Sequence, residues 1–433
     1  MKKNIIVYGL RKSVINKLED NFNISLWINP NRDNFLGIEL LNENPSAAQD
    51  LINFEDVISI PEDLYHEMYS KYVTSISRQF TFVDGMEPLE PYFSYHLAIS
   101  SSILLKNQPD IILFANYPHE GIDVILSCLA KFLNIKSIYL SQSLFQSGFY
   151  ASKSADYNNL IRAKHPFKLT NNSDINLFYM KNDFKRTLEK TMNFFQQIPK
   201  FYKFLHFTKL ANRYLKFKNQ LIFLKNNKQN INSFHFKLPD MYVYFPLHLQ
   251  PEMTTSCLGK SYSNQLLALT QLRKIVPQDI TIILKENPKQ NYKQRNKYFY
   301  KFINSIPNTI FAPISMNSQS LIDESICVST ISGTVGYEAL LSDKTCIIFG
   351  STWYENFEGV FHANLINEFQ VIQSFSFSEE HLKKDLEMHS QFLHDGYIDY
   401  DYINGHGKTL NENIDLTTYK SLLNLLNNFS HDV

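Results

Sequence analysis

With 433 residues, 44% of them hydrophobic and 19% charged, the chain is too long for a single hydrophobic core and too apolar to be disordered, so two domains are expected. Its 42 Lys and Arg offset 42 Asp and Glu, which excludes any argument for nucleic-acid binding from global charge and leaves charged faces as local features. Cys128, Cys257, Cys327 and Cys346 lie far apart with no CxxC pair, which argues for a reducing cytoplasm and against a zinc site.

The opening MKKNIIVYGL has two lysines and then only a short apolar run, which suits a first strand rather than a secretory leader. No window reaches the roughly 18 apolar residues of a membrane span. The expected protein is soluble or peripheral, in the cytoplasm or at the inner face of the cytoplasmic membrane.

Asn4 to Val7 reads as a strand and Ser13 to Asn21 as a helix, the usual opening of a nucleotide-fold half. Residues 25 to 90 say little about chemistry beyond a helix from Pro61 to Ser77. A helix from Tyr92 to Leu105 leads into a sharper βαβ signal: strand Pro109 to Phe114, loop Ala115 to Gly121, helix Ile122 to Leu133 and strand Lys136 to Leu140. Loops at the carboxyl ends of such strands carry function, which makes His119, Glu120 and Asp123 candidates for a general base, a nucleophile or a hydroxyl-binding group. Glu120 also suits a plain helix-start role.

From Tyr179 to Phe236 the chain turns basic and aromatic, with Lys200, Lys203, Lys209, Arg213, Lys216 and Lys218 among Phe201, Tyr202, Phe204, Phe207, Tyr214 and Phe217. Two readings stand: a helical excursion resting on an anionic membrane or lipid-linked acceptor, or a solvated helical face with an aromatic core side.

A second nucleotide-type half starts near Pro239, with strand Met241 to Phe245 and a polar loop holding His248, Gln250 and Glu252. After a helix from Gln265 to Val276 and strand Asp279 to Leu284 comes Lys285-Glu286-Asn287-Pro288. The fullest unit is ICVSTISGTVGYEALLSDKTCIIFG, from Ile326 to Gly350: strand, hydroxyl- and glycine-rich turn, short helix, second buried strand. Small residues at Ser332, Gly333 and Gly336 let an anion approach backbone amides, and Lys285 could address the same phosphate. The alternative is that Ser332 caps the helix and the glycines close a tight turn. Ser378 to Leu393, capped at Ser378, and Asn413 to Asn428 read as closing helices.

FPLHLQPEMTTSCLG from Phe245, LKENP from Leu284 and STISGTVGYEALLSDKTCIIFG from Ser329 resemble the carboxyl-terminal half of capsule and surface-polysaccharide biosynthesis proteins, and PHEGIDVILSCLAKFLNIKSIYL from Pro118 resembles their amino-terminal half. The resemblance implies an α/β, GT-B-like fold: two Rossmann-type domains facing a central cleft, with C-terminal helices. Expected boundaries are 1–178 for the acceptor domain, 179–237 for the excursion, 238–375 for the nucleotide-sugar donor domain and 376–433 for the helical end.

The implied activity is glycosyl transfer from a nucleotide sugar, with CMP-Kdo as one candidate donor, to a glycan or glycolipid acceptor, with no nucleic-acid partner. By position, the donor would meet Lys285, Glu286, Asn287, Pro288, Ser329, Ser332, Gly333 and Thr334, and Glu338 would hold ribose hydroxyls or merely complement the helix dipole. Glu120, aided by His119 and Asp123, would be the catalytic carboxylate, and His248, Gln250 and Glu252 further lining groups. No cofactor or metal is implied beyond the donor itself, since Asp399 and Asp401 form an Asp-x-Asp pair only in a late turn. The family usually has His-Pro where this chain has Asn287-Pro288, and asparagine carries neither proton nor charge. That departure keeps a catalytically silent scaffold as an alternative, beside a polyol-phosphate transferase of the teichoic-acid type and a nucleotide-sugar epimerase.

Overall fold

The computed structural model describes residues 2–29, 57–76, 89–145, 147–166, 214, 218, 221, 223, 236–290, 295–399 and 412–429. The basic, aromatic stretch 179–237 lies outside them except for Tyr214, Lys218, Leu221, Phe223, Phe236 and Lys237, and Asp401 lies outside as well. The described residues fall into two compact units, one holding residues up to 166 and from 383 onward, the other residues 214 to 382.

The first unit is a five-stranded sheet of β1 (Asn4–Tyr8), β2 (Asn23–Ile28), β3 (Ile111–Phe114), β4 (Lys136–Gln142) and β5 (Phe149–Ser152), in the order β2-β1-β3-β4-β5. All neighbours are parallel except β4 and β5. A parallel strand covered on both faces has no solvent side, so it is apolar without alternation. Ile5-Ile6-Val7 and Ile112-Leu113-Phe114 follow that rule and are fully buried. The edge strand β2 is half-buried and carries Asn23 and Ser25, which is why its hydropathy gave no strand signal.

The terminal helix Glu412–Phe429 belongs to this unit rather than standing apart. Leu422, Leu425, Leu426 and Phe429 share a core with Ile5, Val7, Val14 and Leu18, and Arg11 reaches Asp415 at 2.9 Å. Helix His381–Ser390 starts later than expected, and Ser378 does not cap it: its N–H and hydroxyl both donate to the Glu358 carboxylate.

The second unit is a six-stranded, all-parallel sheet of β6 (Tyr242–Pro246), β7 (Thr281–Lys285), β8 (Thr309–Phe311), β9 (Cys327–Thr330), β10 (Thr345–Ile348) and β11 (Val360–His362). Alternate residues feed opposite faces: Val243, Phe245, Ile282 and Leu284 join one core, Tyr242, Tyr244, Ile283 and Val328 the other. The order β11-β10-β9-β6-β7-β8 means that the chain runs outward from β6 to β8, returns to lay β9 beside β6, and then runs the other way. Strand order reverses between β6 and β9, and in such doubly wound sheets ligands sit at the carboxyl ends of the strands flanking the reversal. Both expected Rossmann-type α/β units are therefore present.

Candidate active site

At the reversal of the second sheet, the loop after β6 meets the glycine bend after β9. His248 is buried there, and its Nε2 accepts the Ile331 N–H at 3.2 Å and lies 2.8 Å from the Thr330 hydroxyl. An amide can only donate, so the ring proton sits on Nδ1. Burial, followed by the nearby Arg295 charge, lowers the His248 pKa to about 4, and the ring is neutral. A Cβ built on Gly333 would stand 2.9 Å from His248 Cε1, so only glycine fits beneath the imidazole. The Gly333 N–H donates to Thr330 Oγ1 at 3.1 Å, and Ser332 donates its hydroxyl to the Thr254 carbonyl at 2.5 Å. Neither group is open to a ligand, and Ser332 is not a helix cap.

Further backbone donors lie one step along. Among the described residues, the amides of Thr334 and Val335, at the start of helix Val335–Leu340, have no hydrogen-bond acceptor. Thr334 donates its hydroxyl to Glu338 at 3.2 Å. Glu338 is buried, which raises its pKa, while Thr334 and Lys285 pull it back down. Lys285 ends β7, two strands from β9, and donates to the Ser318 hydroxyl at 2.7 Å. Burial lowers its pKa to about 8, against the opposing influence of Glu338. Glu338 therefore accepts the Thr334 hydroxyl and lies within electrostatic reach of Lys285.

Glu286 is placed differently from expectation. One carboxylate oxygen accepts Arg295 Nε at 2.9 Å, and the other accepts Arg295 Nη2 at 3.1 Å and the Asn287 N–H at 3.0 Å. Arg295 is fully buried, stacks 4.3 Å from the Phe299 ring centre and donates to the His248 carbonyl and to Gln250 Oε1. Glu286 and Gln250 therefore brace the loops after β6 and β7 through an arginine that the sequence reading passed over. Asn287 closes a turn by accepting the Lys289 N–H at 2.9 Å, and Pro288 follows it half-buried. Glu252 forms a capping box with Thr255 at helix Met253–Ser256. Ser329 lies inside β9, fully buried, and its hydroxyl has no partner among the described residues.

The carboxylate cluster of the first unit also flanks a reversal, here between β1 and β3. Asp123, not Glu120, holds the start of helix Ile122–Phe132: its oxygens accept the N–H groups of His119 at 2.8 Å, Glu120 at 2.9 Å and Val124 at 2.8 Å. Burial and the neighbouring Glu120 raise its pKa to about 6. His119 donates Nδ1–H to the Tyr117 carbonyl at 2.7 Å, which leaves Nε2 as its acceptor. Tyr8, at the end of β1, donates its hydroxyl to Glu120 at 3.4 Å. Gly121 makes this bend at φ 115°, a left-handed conformation that glycine tolerates best. Among the described residues, no cluster of His, Cys, Asp and Glu could hold a metal ion.

No curated protein matches the chain. Among solved structures, the KpsC beta Kdo 2,7 transferase of Thermosulfurimonas dismutans aligns at 9% identity over 98% of this chain and 99% of that one, with a TM-score of 0.36. The UDP-GlcNAc 2-epimerase of Methanocaldococcus jannaschii aligns at 16% over 86% and 93%, with a TM-score of 0.27. That of Neisseria meningitidis aligns at 13% over 97% and 99%, with a TM-score of 0.26. Scores this low carry no weight for function. The family model for capsule polysaccharide biosynthesis proteins, by contrast, matches residues 155–402, more than half of the sequence. The chain belongs to the capsule polysaccharide biosynthesis protein family.

Proposed function

We propose that this protein is a glycosyltransferase of capsule or other surface-polysaccharide biosynthesis, and that its nucleotide-sugar donor binds at the carboxyl edge of the second sheet. The supporting observation is the grouping of Lys285, Ser318, Glu338 and Thr334 beside two open amides at the strand-order reversal. A half-desolvated ammonium next to free N–H groups suits a phosphate, because an anion there restores the charge balance that burial has disturbed. Glu338 is the group for ribose hydroxyls, and a CMP-linked sugar is the first donor to test.

In the reaction, the bond between the anomeric carbon and the phosphate oxygen breaks, and the phosphate leaves with the electron pair. Lys285 and the amides of Thr334 and Val335 offset the charge that develops there. Glu120 of the first unit acts as base for the acceptor hydroxyl or as nucleophile, with Tyr8 and His119 beside it and Asp123 fixing its loop. Gly333, Glu286 and Gln250, whose polar groups are bonded within the fold, shape the site.

Asn287 favours one competing reading, a scaffold that binds a nucleotide sugar without turning it over. The deciding experiment measures CMP, CDP and UDP binding by calorimetry, and donor hydrolysis by the wild type and by Glu120→Gln. Binding with hydrolysis that Glu120→Gln abolishes supports the transferase. Binding without hydrolysis leaves the scaffold, and no binding of any of the three overturns the proposal.

A further inference from the structure

Although the chain carries no net charge, the stretch from Asn287 to Ile322 has no acidic residue while holding Lys289, Lys293, Arg295, Lys297 and Lys301. Arg295 is buried against Glu286 and adds nothing to the surface. Lys297 and Lys301 stand four apart, the spacing that puts side chains on one face of a helix.

Helix Lys297–Asn304, capped by Asn296, has two faces of different character. Phe299, Tyr300 and Ile303 are buried in the core of the second unit. Lys297, Tyr298, Lys301 and Phe302 point outward, with Tyr298 64% and Phe302 42% exposed. The Lys297 ammonium lies 4.9 Å from the Tyr298 ring centre. Two large rings one turn apart, each next to a lysine and with no carboxylate on the helix, ask for a cover that is both anionic and able to take up apolar area. Folding requires neither ring at the surface, since the opposite face already supplies the packing.

We propose that this face docks on an anionic phospholipid bilayer, the lysines meeting headgroup phosphates while the rings enter the interfacial layer. The inference is independent of the donor site and would hold for a scaffold as well as for an enzyme. A soluble polyanion satisfies the lysines but gives the rings nothing, and that difference makes the assignment testable.

The test is cosedimentation of the whole protein with vesicles of phosphatidylcholine alone and of phosphatidylcholine and phosphatidylglycerol in equal parts. The wild type should bind only the anionic vesicles, less so as salt rises. Lys297→Glu with Lys301→Glu should weaken binding by about tenfold or more, since each basic group near such a surface contributes on the order of fivefold in affinity. Tyr298→Ser with Phe302→Ser should weaken it several-fold with melting temperature unchanged. Failure of the wild type to bind, equal binding to neutral vesicles, or insensitivity to both double variants overturns the proposal. Sensitivity to the lysine pair alone, with equal retention on heparin, also overturns it and makes the face a polyanion site.

Discussion

His248 covers Gly333. The imidazole, fixed by the Ile331 N–H and the Thr330 hydroxyl, lies where a side chain on residue 333 would begin, with its Cε1 2.9 Å from the position of a Cβ. Thr330 Oγ1 stands equally close, so a methyl group has no direction in which to relax. Gly333→Ala should therefore cost about 1–3 kcal/mol of stability, the usual range for overpacking, and displace the ring from the bend. Thermal melting should show a loss of several degrees together with weakened nucleotide binding. An unchanged melting temperature would mean that the imidazole yields freely.

Lys285 gives the donor site a pH signature. Burial lowers its pKa from the ordinary lysine value to about 8, so the ammonium is mostly present at pH 7 and mostly lost at pH 9. If its charge holds phosphate, CMP affinity should fall by about tenfold between those values, since protonated lysine is the binding form. Lys285→Met should bind one to two orders of magnitude more weakly at pH 7 and show no such slope. Titration calorimetry at both pH values decides it, and a parallel slope in wild type and variant would remove Lys285 from the site.

The core strands were readable from the sequence because doubly covered strands are apolar runs. Asn4 to Val7, Pro109 to Phe114 and Met241 to Phe245 each fall within a residue or two of the strands observed. The edge strand β2 was not readable, since Asn23 and Ser25 break its apolar signal, and β5, although Phe149 and Ala151 lie in the core, is only four residues long. At the site, Lys285, Glu338 and Thr334 stand out in the sequence because strand ends and helix starts mark positions. Which carboxylate binds a ligand and which braces a loop depends on long-range partners. Glu286 is taken by Arg295, nine residues on, and Asp123 rather than Glu120 holds its helix. Ser318 carries no local motif, and only the packing of helix Ser318–Asp323 beside the sheet brings it to Lys285. The arginine had one available signal, in that it interrupts lysines spaced four apart.

Arg295 and Glu286 are both almost fully shielded from water, and each leaves the other uncompensated if removed. Breaking such a pair costs about 3–5 kcal/mol, whereas removing an exposed ion pair costs almost nothing. Glu286→Gln should lower the melting temperature by about 10 °C, at roughly 2–4 °C per kcal/mol for a unit of this size. Arg295→Lys should do nearly as much, since a lysine cannot reach both oxygens, the His248 carbonyl and Gln250 together. Lys71→Ala, which breaks an exposed pair with Glu67, is the control expected to shift melting by less than about 1 °C. Similar melting for all three would mean that water reaches the Arg295 pair.

Four buried histidines make the fold acid-sensitive. Burial lowers His96, His248 and His394 to about 4 and His389 to about 3, so all four rings are neutral in the folded protein. The unfolded chain titrates near the ordinary histidine value of about 6.5 and so binds more protons than the folded one between there and pH 4. Their contribution is complete above pH 6.5 and is lost as pH falls toward 4, each ring giving up on the order of 1–2 kcal/mol by pH 5. Three of the four lie in the first unit, so that unit should melt first in acid. Melting should be flat between pH 7 and 8 and fall by about 10 °C or more at pH 5. His389→Gln should flatten the descent, because glutamine can still bond the Tyr150 hydroxyl that His389 Nε2 meets at 3.1 Å but has no proton to take up. A wild-type curve that stays level to pH 5 would mean that these rings titrate in the fold as they do in water.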